Sequence, residues 1–402
     1  MADMLYFNVK FHDELPGNAG ADIEICIPQA VMASLAWADE AGKALESCLP
    51  IRLVPLSDGK ASYTLRDGLL IPEQAKTLIC RVYNDCGHEI VLPELCFDIP
   101  ESKQLAAQTP KKVFFATSDI HVGGRYFHND ENRRAAFSYI AGVKPEAVLI
   151  SGDITDNSYP EEFAEAQKLL AESFAGIPVF VCTGNHDYSP YKPGATPHFA
   201  EMHAFFEWQC AHDNALGVQT GGLTEKNYFE GRLPDGTQVL VLNANDVNNH
   251  FEVGKEQRAW LDKKLSESDG QIRFVLTHYH QKGTVGCSAE RFGMQFVSDD
   301  EELTRIFNRH PGLIHVSGHT HYNFDSDMPN AFYDSEHEVL YLNAGCAVWN
   351  GVDFEQRREY YLQDRCTGQQ IELYDGYSIT RGVDFVSGKY IPRSLSLQRN
   401  AK

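Results

Sequence analysis

The chain has 402 residues, 43% hydrophobic and 23% charged, a balance that excludes disorder and coiled coil and leaves room for two domains of roughly 100 to 200 residues. Its 56 acidic against 35 basic side chains give a formal charge of −21, which repels nucleic-acid phosphates and makes a nucleic-acid partner unfavoured. A small anionic substrate then needs a local positive centre, which bound cations supply.

From about Met4 to Pro100 the chain reads as short β runs, at 22–27, 50–56, 77–83 and 94–99, punctuated by Gly, Pro, Asp and Asn. The pattern predicts a small β-sandwich. Residues 29–45 are Ala-rich and are the one helix candidate there. The polar stretch 101–112, with Pro110, joins this region to a different texture.

After Lys112, apolar runs at 113–117, 147–150, 179–182, 239–242, 272–276, 313–316 and 339–342 alternate with amphipathic segments. Each run has the length of a buried strand, and the alternation predicts an α/β layer architecture. Pro160 opens a helix whose apolar positions Phe163, Ala166, Leu170 and Phe174 recur until Gly176, and 254–265 repeats the pattern through Trp260, Leu261 and Leu265. Stripes at that spacing are packing faces. The expected division is a β-rich accessory domain at 1–110, a catalytic domain at 111–385 and a tail at 386–402, loosely packed after Ser387.

The ten cysteines form no CxxC pair and no disulfide framework, so reduced thiols are expected. Met1 to Lys10 lacks a basic segment followed by a long apolar stretch, and no apolar run reaches 18 residues. A cytoplasmic chain without a membrane partner is the expectation.

Chemistry is written at the ends of the runs. Five of the seven end within a few residues of Asp119-Ile-His121, Gly152-Asp153, Gly184-Asn185-His186-Asp187, His278-Tyr279-His280 and Gly318-His319-Thr320-His321. In open α/β sheets the edge beyond the carboxyl ends of the strands is where active sites form. An Asp-x-His pair continuing as extended chain aims both side chains the same way, and glycines before Asp153, Asn185 and His319 let backbone approach an ion closely. Oxygen and imidazole donors without thiolate suit Mn, Fe, Zn or Co. Seven such side chains exceed one ion's needs, whereas two ions sharing a carboxylate account for them and leave positions for water and phosphate.

In this order, Asp-x-His, Gly-Asp, Gly-Asn-His-Asp, a lone His and Gly-His-x-His resemble the calcineurin-like metallophosphoesterases over about Lys112 to Tyr374. The resemblance implies a four-layer α/β/β/α sandwich beside the smaller N-terminal sandwich. It implies that Asp119, His121, Asp153 and His321 hold one divalent metal and Asp153, Asn185, His278 and His319 the other, with Asp153 bridging. It also implies that His186 contacts the phosphate and protonates the leaving oxygen, with Asp187 orienting its ring. Where many relatives carry His-His-Pro, this chain has His278-Tyr279-His280, which leaves His280 as the alternative ligand to the favoured His278.

The implied reaction is in-line attack by metal-activated hydroxide on a phosphate ester. The Ser-Asp-Ile-His and Gly-Asp-Ile-Thr-Asp text resembles the bacterial cyclic-nucleotide and glycerophosphodiester branch, and no Arg lies between Asp153 and Pro160, where protein phosphatases carry one. Asp-Ile-His-Val-Gly also resembles the repair nucleases, a reading the acidic charge opposes. A non-catalytic scaffold is the reading of another class, opposed by a ligand set without substitutions.

Arg125, Tyr126, His128, Tyr188, Lys192 and Arg291 lie in the intervening loops as candidate substrate contacts, and Asp156, Asn157 or Ser158 is expected to cap the helix at Pro160. The accessory domain contains no catalytic cluster. It could cover the site, bind another macromolecule or make a homo-oligomer.

Overall fold

The computed structural model describes residues 5–92, 95–124, 129–188, 198–243, 252–267, 272–286, 288, 300–322, 324–325, 329–348, 350–353, 358–362 and 365–399. The chain divides into two compact units: Met1–Lys111 with Leu373–Gly382 and Gly388–Arg399, and Lys112–Glu372 with Val383–Ser387 and Asn400–Lys402.

In the first unit, strands Tyr6–Phe11, Ala21–Cys26 and Lys60–Leu65 form one antiparallel sheet in that order. A second sheet runs Arg52–Pro55, Met32–Ala38, Thr77–Tyr83, Glu89–Ile90, with Cys96–Asp98 also paired to Thr77–Tyr83. Both sheets feed one core, in which Phe7, Ile23 and Ile25 meet Leu35, Trp37, Leu78 and Val82. This is the expected sandwich. The Ala-rich stretch is not a helix: Met32–Ala38 is a strand with neighbours on both sides. Its small side chains let both faces be buried, and pairing overrides the helical preference of alanine.

The described part of the tail, residues 388–399, is not loosely packed. Ser396–Arg399 pairs with Tyr377–Asp384, and Ile379, Leu395 and Leu397 share a core cluster with Leu70 and Tyr377. Its buried positions include Arg393, Ser396 and Gln398, polar residues that hide the burial from a hydropathy reading.

In the second unit all seven apolar runs are strands. Val179–Cys182, Val148–Ser151 and Lys112–Thr117 lie parallel side by side, followed by Thr367–Leu373. A second sheet has the order Gln219–Gly221, Phe229–Arg232, Gln238–Val241, Arg273–Leu276, Leu313–Ser317, Val339–Asn343, Ala331–Asp334, with a parallel centre and antiparallel edges. The sheets pack face to face, with the Phe114 and Phe274 rings 4.7 Å apart. Helices Asn129–Val143 and Pro160–Ser173 cover the first sheet, Phe199–Ala215 packs on Pro160–Ser173 and meets the edge strands of both sheets, Val179–Cys182 and Gln219–Gly221, and Gly254–Ser266 and Asp300–Phe307 cover the second, giving four layers, α/β/β/α. The helix at Pro160 buries Phe163, Ala166 and Leu170, as its spacing predicts. Among the described residues no helix is long and apolar enough to cross a membrane.

Candidate metal centre

The parallel strands Lys112–Thr117 and Val148–Ser151 run side by side, and their pairing continues past their ends. Asp119 N donates to Gly152 O at 3.0 Å, His121 N to Asp153 O at 3.0 Å and Val122 N to Ile154 O at 2.9 Å. Along this seam the chain is not extended, as the Asp-x-His spacing suggested. Asp119, His121, Asp153, His319 and His321 all have positive φ, between 39° and 70°. A side chain there is strained by about 1 to 3 kcal/mol, a cost that surrounding structure must hold in place. Left-handed turns, not period-two extension, aim these side chains at one point.

Close approach explains two glycines. A Cβ on Gly152, whose φ is +90°, would lie 2.4 Å from His278 Nδ1, and one on Gly184 would lie 2.1 Å from Asp153 Oδ1. Only hydrogen fits at either place.

Among the described residues three groups of donor atoms result, each drawn together within 4.8 Å: the partly buried His121, Asp156 and His186, and two groups that lie deeper, Asp119, His121, Asp153 and His321, and Asp153, His278 and His319. His321 Nε2 is 3.1 Å from Asp119 Oδ1, and His121 Nε2 is 3.7 Å from Asp153 Oδ2. On the other side His278 Nε2 is 3.3 Å from Asp153 Oδ2 and 3.1 Å from Asn185 Oδ1. The structure thus brings Asn185 to the second of the deeper groups. Asp153 belongs to both of these.

The donors fit divalent cations. His121 Nε2 faces His321 Nε2 at 3.3 Å, and His319 Nδ1 faces His278 Nε2 at 3.2 Å. Nitrogens so placed repel unless a proton or a cation sits between them. Asp119 Oδ1 is buried and takes no hydrogen bond, the His321 nitrogen being near but not aligned. The charges tell the same story. Burial opposes ionisation, yet His321 holds Asp119 down to about 2, and Asp153 with Asp119 pushes His278 up to about 9. Burial and the His278 charge drive His319 down to about 3. The carboxylates demand compensating positive charge, and a cation would displace the protons that otherwise supply it.

A family model described as calcineurin-like phosphoesterase matches residues 112–323. The chain belongs to this family. It is 24% identical over 226 residues to a protein of Rhodococcus erythropolis named "Probable cyclic nucleotide phosphodiesterase", covering 53% of this chain and 66% of that one. It is 20% identical over 244 residues to "Sphingomyelinase phosphodiesterase C" of Dictyostelium discoideum, covering 54% and 53%. The match thus spans less than two thirds of each curated relative's length. Among solved structures, a purple acid phosphatase from yellow lupin seeds aligns with TM-score 0.48 at 12% identity, covering 98% of this chain and 74% of that one.

Within this member of the family the His278-Tyr279-His280 ambiguity has a plain geometry. His278 reaches the donor cluster, with Nδ1 donating to Ser151 O at 2.7 Å, whereas His280 is turned away toward Ser317 and Thr320, at 2.6 and 3.2 Å. Burial keeps the His280 ring well below its ordinary pKa, and it is neutral.

Asp187 does not orient His186. Its carboxylate accepts from the N–H groups of Gly184, Ile154 and Thr155 and from the Thr155 hydroxyl, at 2.8 to 3.2 Å. It ties the Gly184 and Asp153 turns together, and burial with the nearby Asp153 charge raises it to about 6. His186 instead places Nδ1 2.8 Å from the backbone oxygen of Asp156. Asp156 is not the helix cap either. Glu162 reaches back to the N–H groups of Asn157 and Tyr159, at 2.9 and 3.2 Å, leaving the Asp156 carboxylate 3.2 Å from His121 Nδ1. Its spacing three after Asp153 was the available signal, and the rule for helix caps hid it.

Cys346, likewise missed, lies fully buried with Sγ 3.2 Å from His321 Nδ1. Tyr188 is buried, its ring 6.1 Å from that of Phe199. Arg125, Tyr126, His128, Lys192 and Arg291 lie outside the described residues.

Proposed function

We propose that this phosphoesterase hydrolyses a phosphodiester, of cyclic-nucleotide or glycerophosphodiester type, with two divalent cations of the manganese, iron or zinc class. The observation that carries the reading is the Asp153 carboxylate shared between two donor groups, the arrangement a dinuclear centre requires. Asp119, His121 and His321 would complete one site, and Asn185, His278 and His319 the other. When bound, such a pair supplies Lewis acidity toward phosphoryl oxygens and a water acidic enough to ionise near neutral pH.

The protein's own groups have separate tasks. The His186 Nδ1–H donates to Asp156 O, which leaves Nε2, 3.9 Å from Asp153 Oδ2, to hold a proton for the departing alcohol oxygen. His186 is partly exposed while Asp119, Asp153 and His278 are buried, so the proton donor stands where a substrate would enter. Both curated relatives bear phosphodiesterase in their names, one of them for cyclic nucleotides, which supports the diester over the monoester. The substrate is then a small phosphorylated molecule. The thiols, none bonded to another among the described residues, suit a reducing cytoplasm, and self-association through the N-terminal unit is the use we propose for it.

The test is hydrolysis of bis-p-nitrophenyl phosphate against p-nitrophenyl phosphate with added Mn²⁺, followed by cyclic nucleotides, glycerophosphodiesters and single-stranded DNA. Faster diester turnover that stops on chelation is expected. Turnover of the monoester alone, or of DNA alone, would replace the diester assignment, and manganese binding without turnover of any substrate would make the chain a scaffold.

A further inference from the structure

His319 and His321 lie on one short loop, Gly318 to His321, that contributes one imidazole to each of the two deeper donor groups. Both have left-handed backbone, at φ 70° and 47°, and a strained loop holds its shape only where neighbours over-determine it. Asp119 Oδ2 accepts from His319 N at 3.0 Å and His278 O from Gly318 N at 2.8 Å, and a further neighbour that grips the loop through its side chains is the histidine left over from the metal centre.

His280 is fully buried, with Nδ1 2.6 Å from Ser317 Oγ and Nε2 3.2 Å from Thr320 Oγ1. Ser317 closes the strand that enters the loop, and Thr320 stands between the two ligand histidines. The proton positions follow from the surrounding bonds. Ser317 donates its hydroxyl proton to Leu342 O at 3.2 Å, so its oxygen can only accept from His280, which fixes the Nδ1–H tautomer. Nε2 is therefore an acceptor, and Thr320 must donate to it. The Thr320 oxygen also receives Asn343 Nδ2 at 3.5 Å, and Asn343 Oδ1 accepts from Gly345 N at 2.9 Å. A directed chain of hydrogen bonds thus ties the ligand loop to the buried strand Val339–Asn343.

We propose that His280 is a positioning residue that clamps the loop bearing His319 and His321 and so sets the geometry of both cation sites at once. The proposal rests on reading the two deeper donor groups as cation sites. Tyr279 adds to the support, its ring lying against that of His319 with centroids 4.0 Å apart and planes tilted by 31°.

The experiment is calorimetric titration of the full chain with Mn²⁺ after chelation, on wild type, Thr320→Val, His280→Gln and His280→Asn. Thr320→Val keeps the shape and removes the hydroxyl. Both binding steps are expected to weaken about tenfold or more, the usual consequence of losing a group that orients metal ligands. His280→Gln can place an amide oxygen near the Nε2 position to accept from Thr320, and His280→Asn cannot, so glutamine should restore most of the affinity and asparagine little. A merely structural histidine would lower the melting temperature in both variants without this split. Adding Thr320→Val to His280→Asn should cost little more, since both cut the same link. Wild-type manganese affinity in folded Thr320→Val would overturn the clamp alone, and it decides the matter should the His280 variants not fold. Failure of the wild type to bind manganese would remove the dinuclear reading beneath it.

Discussion

The Asp156 carboxylate lies 3.2 Å from Nδ1 of His121, whose other nitrogen faces Asp119 and Asp153 at 3.9 and 3.7 Å. The two atoms are close without being aligned for a hydrogen bond, so the Asp156 charge acts through space, favouring the tautomer that presents a lone pair forward and making that lone pair more basic. Asp156→Asn should therefore weaken manganese binding by about 10- to 100-fold, measured by competition with a chelator of known affinity. His186 bonds the Asp156 backbone oxygen, which the substitution keeps, so most of the loss should appear in metal affinity. Unchanged affinity would return Asp156 to an incidental neighbour.

Asp153 and His186 should separate cleanly. Asp153→Ala removes the carboxylate common to both deeper donor groups and should abolish turnover together with bound metal. His186→Ala removes a proton donor and should leave metal content near wild type while lowering kcat by about 10²- to 10⁴-fold. Metal analysis beside kinetics reads both, and equal metal loss in the two variants would deny His186 its separate role.

Two glycines should fail in different ways. A methyl group on Gly184 would sit 2.1 Å from Asp153 Oδ1, so Gly184→Ala should displace the shared carboxylate and cost metal affinity. On Gly231 it would sit 2.3 Å from Phe180 Cε1, and overpacking there should cost about 1 to 3 kcal/mol of stability with manganese affinity intact. Denaturant titration and calorimetry together separate the two.

His315 should make the fold acid-sensitive. Its Nε2–H donates to Thr277 Oγ1 at 2.8 Å, while Nδ1 is buried and has no partner. Burial holds its pKa down to about 3, below the value of about 6.5 in an unfolded chain. The unfolded state therefore binds more protons between these values, and stability present above pH 6.5 is lost progressively as pH falls toward 3. His315→Gln, which keeps a donor and cannot ionise, should show a shallower fall in urea midpoint between pH 7 and pH 5. An identical slope would mean that His315 is not a source of the sensitivity.

The thiols should sort by exposure. Cys86 and Cys96 are exposed, whereas Cys48 and Cys80 are buried and pushed up to about 11 and about 12 by burial. Alkylation of the native protein at pH 7.5 followed by peptide mapping should modify the first two well ahead of the second two. Rapid labelling of Cys80 would contradict its place in the sandwich core.

The layers of the second unit were legible because each buried strand is a short apolar run, and all seven runs are strands. The donor side chains that the fold brings together were legible too, because oxygen and imidazole donors stand directly after the strands. Reading failed where a residue's neighbours in space outweigh its neighbours in sequence. The alanines of Met32–Ala38 favour a helix until strands on both sides claim their backbone. Asp156 stands where a cap is expected until Glu162 takes that place, and Asp187 adjoins His186 in sequence while its carboxylate binds the backbone of a different turn.

By itself, then, the order of residues determined which donor side chains this protein carries, the α/β layers that hold them and the edge at which they gather, because strand burial and donor type are local properties. Only the tertiary structure decided which histidine reaches the centre and which clamps it, and which carboxylate serves which ring. Those choices are set within about 3 Å by left-handed turns and by bonds between segments 30 to 200 residues apart, distances along the chain over which no local pattern carries information.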